Sequence, residues 1–373
     1  MASRLLSIAC ALACMITPAA LAAQASPPPA AAANGPPPEG EYVLHAIDVG
    51  TGLAIFVEGH DFTLLYDAGS NDDDARGPRN RIVAYLRAAR PDLRAIDHVV
   101  LSHPHKDHVE LMPDILEQFT VRNLWDSGAL NRICAYRDLL VSAAARGVVY
   151  HNALAADVPH GAAFEAQTCY GRRVPAASIG VPRGEMARRG HTLLLGDRAH
   201  LSFLNADGSP QSSFNANSVV VRLTLGTRVI LLPGDAEAGG RQAPSTAPAA
   251  RSIEGQLLAC CRAMLRADIL VAGHHGSTTS SRSAFLDAVG AGHYVVSSGP
   301  TRYGSVTLPD APVIAEFTRR GAVWRTDLND ATCGADRAKI GPDADGRPGG
   351  YDNIRIAIDA AGTVTPAYSS PSD

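Results

Sequence analysis

The sequence predicts a mixed α/β protein in which two β-sheets pack face to face with helices on the outside. Three observations support this prediction: 46% hydrophobic and only 19% charged residues, an early run of short strands joined by tight turns, and a later alternation of strands and helices. The 373 residues are enough for one large domain or two ordinary ones. These values exclude a disordered chain, a collagen-like repeat and a coiled coil.

The first 25 residues have the pattern of a cleaved export signal. Arg4 supplies a short positive start, an uncharged apolar run covers residues 5–16, and Ala20-Leu21-Ala22 and Ala23-Gln24-Ala25 both place small residues where a signal peptidase reads them. The alternatives are a retained membrane anchor over residues 5–23 and a lipoprotein attached at Cys14. We expect cleavage, because a Pro-rich segment follows. The protein is therefore expected to be periplasmic or secreted, with no membrane span after the signal is removed.

Beyond the signal, the chain is predicted to contain a linker, one domain and a tail. Residues 26–41 form a Pro/Ala-rich linker of extended conformation. The domain covers residues 42–365, with a surface loop at 239–251 and an Asp-, Gly- and Ala-rich insertion at 329–351. Residues 366–373 form the tail.

Hydrophobic spacing and turn residues predict the elements of this domain in order. It begins with a three-stranded meander, continues with helices between short buried strands, and ends on a last strand. The predicted strands are 42–49, 53–57, 62–66, 96–101, 219–225, 227–232, 268–272, 293–297, 322–325 and 353–359. The predicted helices are 80–90, 111–118, 256–266, 282–289 and 313–319.

Five cysteines follow the predicted signal: Cys134, Cys169, Cys260, Cys261 and Cys333. An odd number in an oxidising compartment means that at least one is unpaired or pairs between molecules. Cys134 with Cys169 is one candidate disulfide. Buried free thiols are the alternative, because the sequence does not fix the connectivity.

A dense group of metal-ligand residues follows the predicted strand 96–101. His103, His105, Asp107 and His108 fall within six positions. In an extended loop alternate side chains point the same way, so His103 and His105 are predicted to share one metal ion. Asp107 and His108 then turn toward a second ion. Histidine nitrogen and carboxylate oxygen suit zinc, with manganese or iron as alternatives.

Two other predicted strands end in residues of the same kind. Strand 227–232 leads to Asp235, and strand 268–272 leads to His274 and His275. Loops at strand ends converge on a rigid scaffold. We therefore expect the Asp235 carboxylate to bridge two cations and one of the two histidines to complete the second site.

These motifs resemble those of the metallo-β-lactamase superfamily. His103-x-His105-x-Asp107-His108 is that superfamily's signature, and Asp67 in LLYDAG matches its first motif. Within that superfamily, the sequence most resembles the soluble hydrolase domain of the competence protein ComEC and its free-standing relatives. It rests on DVGTG (48–52), NANSVVVRL (215–223), ADILVAGHHGSTTSS (267–281), VVSSGP (295–300), RYGS (302–305) and RTD (325–327).

The resemblance implies a four-layer αββα sandwich with two divalent transition-metal ions between the sheets, for which we expect zinc, with manganese as the alternative. It implies a hydroxide, generated at the metals, that attacks a phosphate or carbonyl centre. The implied metal ligands are His103, His105, Asp107, His108, Asp235 and His274. The implied catalytic residues are Asp107 and His275, where His275 is an alternate ligand or a neighbour of the ligands. The implied supporting or substrate-facing residues are Asp48, Asp67, Asn217, Ser277 and Ser298.

The sequence also departs from the family pattern. Asn217 lies in the region where many superfamily members have a histidine ligand, and an amide oxygen is a weak ligand at best. Ser305 replaces the histidine of the family's YGHP motif, and Glu110 replaces the usual glycine after the signature. His151 and His160 are candidates for a substitute third ligand.

Three functions remain open at this point. The first is an exported metal-dependent hydrolase of phosphodiesters. The second is a hydrolase of a lactam, lactone or other ester, and the third is an exported binding protein with a vestigial metal site. The formal net charge of −4 gives no reason to expect tight binding of long nucleic acid, so a small molecule or a short phosphodiester is the expected substrate. The sequence leaves the oligomeric state open.

Overall fold

The computed structural model describes residues 35–154, 161–328 and 352–368. The predicted signal, the first nine residues of the predicted linker and the predicted insertion at 329–351 lie outside these ranges, as do His160 and Cys333. The strands are β1 Tyr42–Ala46, β2 Ile55–Glu58, β3 Thr63–Tyr66, β4 Ala95–Val100, β5 Thr120–Asp126, β6 Val149–Asn152, β7 Gly161–Phe164, β8 Gln167–Cys169, β9 Arg172–Val174, β10 Ala177–Gly180, β11 Thr192–Gly196, β12 Ala199–Asn205, β13 Val220–Leu225, β14 Arg228–Leu232, β15 Ile269–Val271, β16 His293–Val296, β17 Arg302–Tyr303, β18 Val306–Thr307, β19 Ala322–Arg325, β20 Ile354–Ile358 and β21 Val364–Tyr368.

The helices are α1 Arg81–Ala89, α2 Lys106–Val109, α3 Met112–Gln118, α4 Cys134–Arg146, α5 Ile253–Cys260, α6 Ser283–Val289 and α7 Ala311–Arg320. Short 3₁₀ turns lie at Gly77–Arg79, Phe214–Asn217, Arg262–Leu265 and Gly273–Gly276. None of the helices in the described residues has the length and apolar character needed to cross a bilayer.

Two large sheets form the centre of the fold. The first has the order β21-β20-β1-β2-β3-β4-β5-β6, and the second has the order β11-β12-β13-β14-β15-β16-β19. Each begins antiparallel and becomes parallel, at the β3–β4 pair in the first sheet and at the β14–β15 pair in the second. The parallel strands place their carboxyl ends at one edge, from which the loops toward the site emerge.

Three apolar cores separate four layers. One core packs residues of both sheets against each other, such as Leu44 and Phe203. A second packs the outer face of the first sheet against α1, α3 and α4, and a third packs the outer face of the second sheet against α5, α6 and α7. Burial of apolar surface between layers is what holds such a sandwich together. The predicted αββα architecture is confirmed.

Several predicted bounds differ from those in the structure. The predicted helix 256–266 begins earlier, because the Ser252 hydroxyl caps it at the Gly255 amide, and it ends at Cys260 before a 3₁₀ turn. The signature histidines were expected in an extended loop, but only the part up to His105 is extended, and α2 carries Asp107 and His108. The predicted domain end at residue 365 falls inside β21, which pairs with β20, so the sheet continues to Tyr368.

The stretch between residues 119 and 218 received no predicted elements, and it is the part that the sequence explained least. It contains β5 and β6 of the first sheet, the helix α4 that packs against that sheet, and β11 and β12 of the second sheet. Residues 239–251 form neither helix nor strand, as predicted for the surface loop.

Candidate metal centre

The loops after β4, β14 and β15 meet between the two sheets. Hydrogen bonds join the sheets there: the Val219 amide donates to the Ser102 carbonyl at 2.8 Å, and the Tyr66 hydroxyl donates to the Val219 carbonyl at 2.7 Å. The backbone around α2 is tightly packed, since a Cβ on Gly69 would lie 2.2 Å from the backbone nitrogen of His108. A larger residue at 69 would therefore push the signature helix out of place.

The first cluster of ligand atoms comprises His103, His105 and Asp235. The His103 Nε2 and His105 Nδ1 atoms are 3.0 Å apart, and His103 Nε2 lies 3.7 Å from Asp235 Oδ2. His103 is fully buried and Asp235 nearly so. The two alternating histidines do face the same point, as their spacing predicted.

The second cluster comprises Asp107, His108 and His275. His108 Nε2 lies 3.2 Å from His275 Nε2, and His275 Nε2 lies 3.8 Å from Asp107 Oδ2. In each cluster the ligand atoms lie within 4.8 Å of one another. The separation of the signature into two groups follows from the turn into α2, which redirects Asp107 and His108.

Asp235 lies between the two clusters. Its Oδ2 atom faces His103, while its Oδ1 atom lies 3.2 Å from His108 Nε2 and 3.7 Å from His275 Nε2. Within the described residues, no donor of good geometry makes a hydrogen bond to the buried Oδ1 atom. A carboxylate that divides its two oxygens in this way has the placement of a bridging ligand.

The structure distinguishes His275 from His274. Both have left-handed backbone conformations, with φ values of 53° and 49°. This conformation directs His275 into the second cluster, whereas His274 belongs to neither cluster among the described residues. His274 Nδ1 lies 2.7 Å from Thr279 Oγ1 and 3.3 Å from Glu237 Oε1, and its Nε2 is 3.7 Å from Asp235 Oδ2. The second cluster therefore contains His275, and the ligand role expected for His274 stays a prediction, since its Nε2 lies as far from Asp235 Oδ2 as His103 Nε2 does.

Neighbouring groups orient the ligands. His108 Nδ1 lies 2.8 Å from Asp67 Oδ2, and Asp67 also accepts hydrogen bonds from the Ser102 amide and hydroxyl. His275 Nδ1 lies 2.9 Å from the Ser297 carbonyl oxygen, which leaves Nε2 facing the cluster. Partners of this kind fix the tautomer of a ligating histidine. Asp67 was expected in this region, but Ser102 and Ser297 were not singled out from the sequence.

Burial and charge set the proton affinities of the site. Burial lowers the pKa of His103 well below its usual value, with the neighbouring His108 adding to the effect. Burial also lowers the pKa of His105. For His108, burial acts in the same direction, but the carboxylates of Asp235 and Asp67 outweigh it and raise the pKa well above the usual value. A divalent cation would supply the positive charge that these carboxylates otherwise draw from a proton.

The donor set fits divalent transition metals. Four imidazoles and two carboxylates converge in two adjacent groups, and this mixture of nitrogen and oxygen donors is typical of zinc, manganese or iron. The Oδ1 atom of Asp235, buried without a hydrogen bond from the described residues, is a ligand position that a cation would satisfy.

The remaining predicted residues have other partners. Asp48 accepts hydrogen bonds from the Gly50 and Asp352 amides and belongs to neither cluster, and burial raises its pKa to about 6. The Asn217 amide nitrogen donates to the carbonyls of residues 207 and 209. Ser277 accepts a hydrogen bond from Arg241. Ser298 has a buried hydroxyl without a hydrogen-bond partner among the described residues.

Neither substitute histidine lies in the described clusters. His151 stacks on Trp125, with ring centroids 3.7 Å apart, and contacts Asn123 and the Glu185 carbonyl. His160 falls outside the described residues. Tyr303, which lies in the RYGS segment, and Asn71 both contact Asp107, and neither was singled out from the sequence as a site residue.

Comparison with known proteins identifies the family of the chain. Residues 47–299 match the family model of the metallo-beta-lactamase superfamily, and the chain belongs to that superfamily. It is similar to the competence protein ComA of Neisseria gonorrhoeae, at 24% identity over 295 residues that cover 79% of this chain and 32% of that protein. The chain thus spans about a third of the length of this relative.

Two solved structures resemble the chain more distantly. The metallo-beta-lactamase fold protein YhfI from Bacillus subtilis is 13% identical with a TM-score of 0.41, over 77% of this chain and 97% of that chain. CmlA, a diiron beta-hydroxylase from Streptomyces venezuelae, is 15% identical with a TM-score of 0.40, over 78% of this chain and 53% of that chain.

Proposed function

We propose that this protein is an exported metal-dependent hydrolase that acts on phosphodiester bonds. The observation that carries the proposal is the position of Asp235, one oxygen toward His103 and the other toward His108 and His275. A carboxylate shared in this way supports a site for two cations. When bound, two such ions supply a water of lowered pKa and positive charge for a developing oxyanion.

The chain's own residues have distinct parts in this proposal. His103, His105, Asp107, His108 and His275 hold the ions together with Asp235. Anionic phosphate oxygens suit a site for two cations better than a neutral lactam carbonyl does. Ser298, whose buried hydroxyl has no hydrogen-bond partner among the described residues, is proposed as a donor to the substrate anion, and Ser277 is proposed to add a second hydroxyl.

The natural substrate is proposed to be a small molecule or a short phosphodiester. The formal net charge of −4 argues against tight, salt-sensitive binding of long nucleic acid. Zinc is the proposed metal, with manganese as the alternative that the same donors allow.

Cleavage of bis-p-nitrophenyl phosphate tests the reaction class. We expect turnover with added Zn²⁺ or Mn²⁺, loss of turnover with a chelator, and little or no hydrolysis of a chromogenic cephalosporin. His103→Ala and Asp235→Ala should each lower the bound metal and abolish the activity, because each removes a ligand. Efficient cephalosporin or lactone hydrolysis without phosphodiester cleavage would establish the alternative reaction. Full metal binding without any hydrolysis would favour a binding protein.

Export is proposed from the sequence of the first 25 residues. N-terminal sequencing of the protein from its native host should find a mature start between residues 23 and 26. An intact Met1 in the cytoplasm would contradict this proposal. Labelling with a lipid precursor would detect attachment at Cys14.

A further inference from the structure

The Asp107 carboxylate is held by two side chains from distant parts of the chain. The Tyr303 hydroxyl donates a hydrogen bond to Asp107 Oδ2 at 2.8 Å, and the Asn71 amide nitrogen donates to the same oxygen at 3.1 Å. The Asn71 amide nitrogen also donates to the Tyr303 hydroxyl at 2.8 Å. The three groups form a closed triangle at the rim of the second cluster.

Both partners are themselves fixed. Asn71 follows β3, and its backbone amide donates to the Thr51 carbonyl at 2.7 Å. Tyr303 lies on the small β17–β18 hairpin. That hairpin is tied to the same loops, because the Thr301 amide donates to the Thr51 hydroxyl at 2.8 Å and the Thr301 hydroxyl donates to Asp72. The triangle is thus preorganised.

Every member of the second cluster has a partner of this kind. Asp67 holds His108, and the Ser297 carbonyl holds His275. For Asp107, the Tyr303 and Asn71 donors fill this place, and they contact Oδ2, the oxygen that lies 3.8 Å from His275 Nε2. Removing a group that orients a metal ligand typically lowers the metal affinity by roughly 10–100-fold.

We propose that Tyr303 and Asn71 are positioning residues that fix Asp107 Oδ2 and thereby set the affinity of the second cluster for its metal ion. The proposal rests on the metal-binding role of that cluster and not on the reaction class. Without the two donors, Asp107 would have to be ordered at the moment of metal binding. The first cluster, built from His103, His105 and Asp235, has no part in the triangle and should keep its affinity.

A competition titration of the metal-free chain with Zn²⁺ and a chromogenic chelator tests this inference. The Asp107→Asn variant shows which of the bound Zn²⁺ equivalents occupies the second cluster, because that is the equivalent whose affinity this variant lowers. Tyr303→Phe and Asn71→Ala should weaken that same equivalent about tenfold, with the other equivalent within twofold of the wild-type value. Tyr170→Phe is the matched control: its hydroxyl donates to Glu110, which is not a ligand, so both affinities should stay unchanged.

The outcomes separate this inference from the proposed reaction. Wild-type affinity of both equivalents in Tyr303→Phe and Asn71→Ala overturns the positioning role. A uniform loss in both equivalents also overturns it, because that result indicates general destabilisation. If Tyr303→Phe weakens only the second equivalent while the wild-type protein fails to cleave bis-p-nitrophenyl phosphate, the inference stands and the proposed reaction fails. Urea unfolding of the metal-free variants checks that the fold is intact.

Discussion

Asp67 Oδ2 lies 2.8 Å from His108 Nδ1, and both side chains are fully buried. Asp67 also has a left-handed backbone, with φ of 57°, at the end of β3. Residues other than Gly, Asn and Asp rarely adopt this conformation. The backbone and the hydrogen bond together aim His108 Nε2 at the second cluster.

Asp67→Asn should therefore weaken metal binding without disturbing the backbone. Asn tolerates the left-handed conformation, but its amide nitrogen can donate to His108 Nδ1 and so place the ring proton on Nε2. That tautomer cannot bind a cation through Nε2. We expect an affinity loss of about 10–100-fold at the second cluster, measured by chelator competition.

Asp48→Asn is the control for Asp67→Asn. Asp48 is also buried, but it accepts hydrogen bonds from the Gly50 and Asp352 amides and belongs to neither cluster. Its variant should keep both metal affinities. Equal affinities in the Asp67→Asn and wild-type proteins would show that Asp67 does not orient the ligand.

His274 and His275 offer a second test, because they are adjacent and share a left-handed conformation. His275→Asn should lose metal from the second cluster, since His275 Nε2 faces His108 and Asp107. His274→Asn should retain two equivalents. Asn is used in both variants because it tolerates the backbone at these positions. Plasma emission on the purified proteins gives the metal content, and the reverse pattern would support the ligand role first expected for His274.

The sequence predicted most of the residues of the two clusters and missed several of the contacts that orient them. His103, His105, Asp107 and His108 are close in the chain, so strand periodicity and one turn were enough to group them. The choice between His274 and His275 depends on two consecutive left-handed residues, which no hydrophobic pattern encodes. Tyr303 lies in the RYGS segment that supports the resemblance, but this segment does not indicate which residue, 196 positions away, its hydroxyl contacts.

The parts of the fold that the sequence predicted are likewise those with local signals in the chain. The meander and the later strand–helix alternation carry their own turn residues, whereas α4 begins at Cys134 and its N-cap residue, Ile133, makes no side-chain hydrogen bond to the helix. Its buried residues include Ser142 and Arg137 beside Leu139 and Leu140, so the helical face is not apolar in the usual pattern. Tertiary packing against the first sheet, rather than local sequence, defines this helix.

The disulfide between Cys134 and Cys169 leads to a stability prediction. It joins the start of α4 to the β8–β9 hairpin across 35 positions. Replacing both cysteines by serine should lower the free energy of unfolding by about 2–4 kcal/mol, because the unfolded chain gains the freedom of that loop. Urea unfolding at neutral pH measures the change.

The adjacent pair Cys260 and Cys261 provides the matched control for that experiment. Their disulfide joins neighbouring residues, so it restricts almost none of the unfolded chain. The double serine variant at these positions should unfold within about 0.5 kcal/mol of the wild-type protein. Similar losses from both double variants would mean that loop closure is not the source of the stabilisation.

The buried imidazole of His151, which belongs to neither cluster, leads to a prediction of how the stability of the protein depends on pH. Burial lowers its pKa from 6.5 to about 4, and the Glu185 carbonyl offsets this only in part. Above pH 6.5 the ring is neutral in both states. As the pH falls toward 4, the unfolded chain binds a proton that the folded chain excludes, so the wild-type protein loses up to about 3 kcal/mol. His151→Gln and His151→Phe cannot titrate at this position, so urea unfolding of the metal-free proteins between pH 7.5 and 4 should show a larger loss in the wild type than in either variant. A parallel decline in all three proteins would assign the acid sensitivity to other groups.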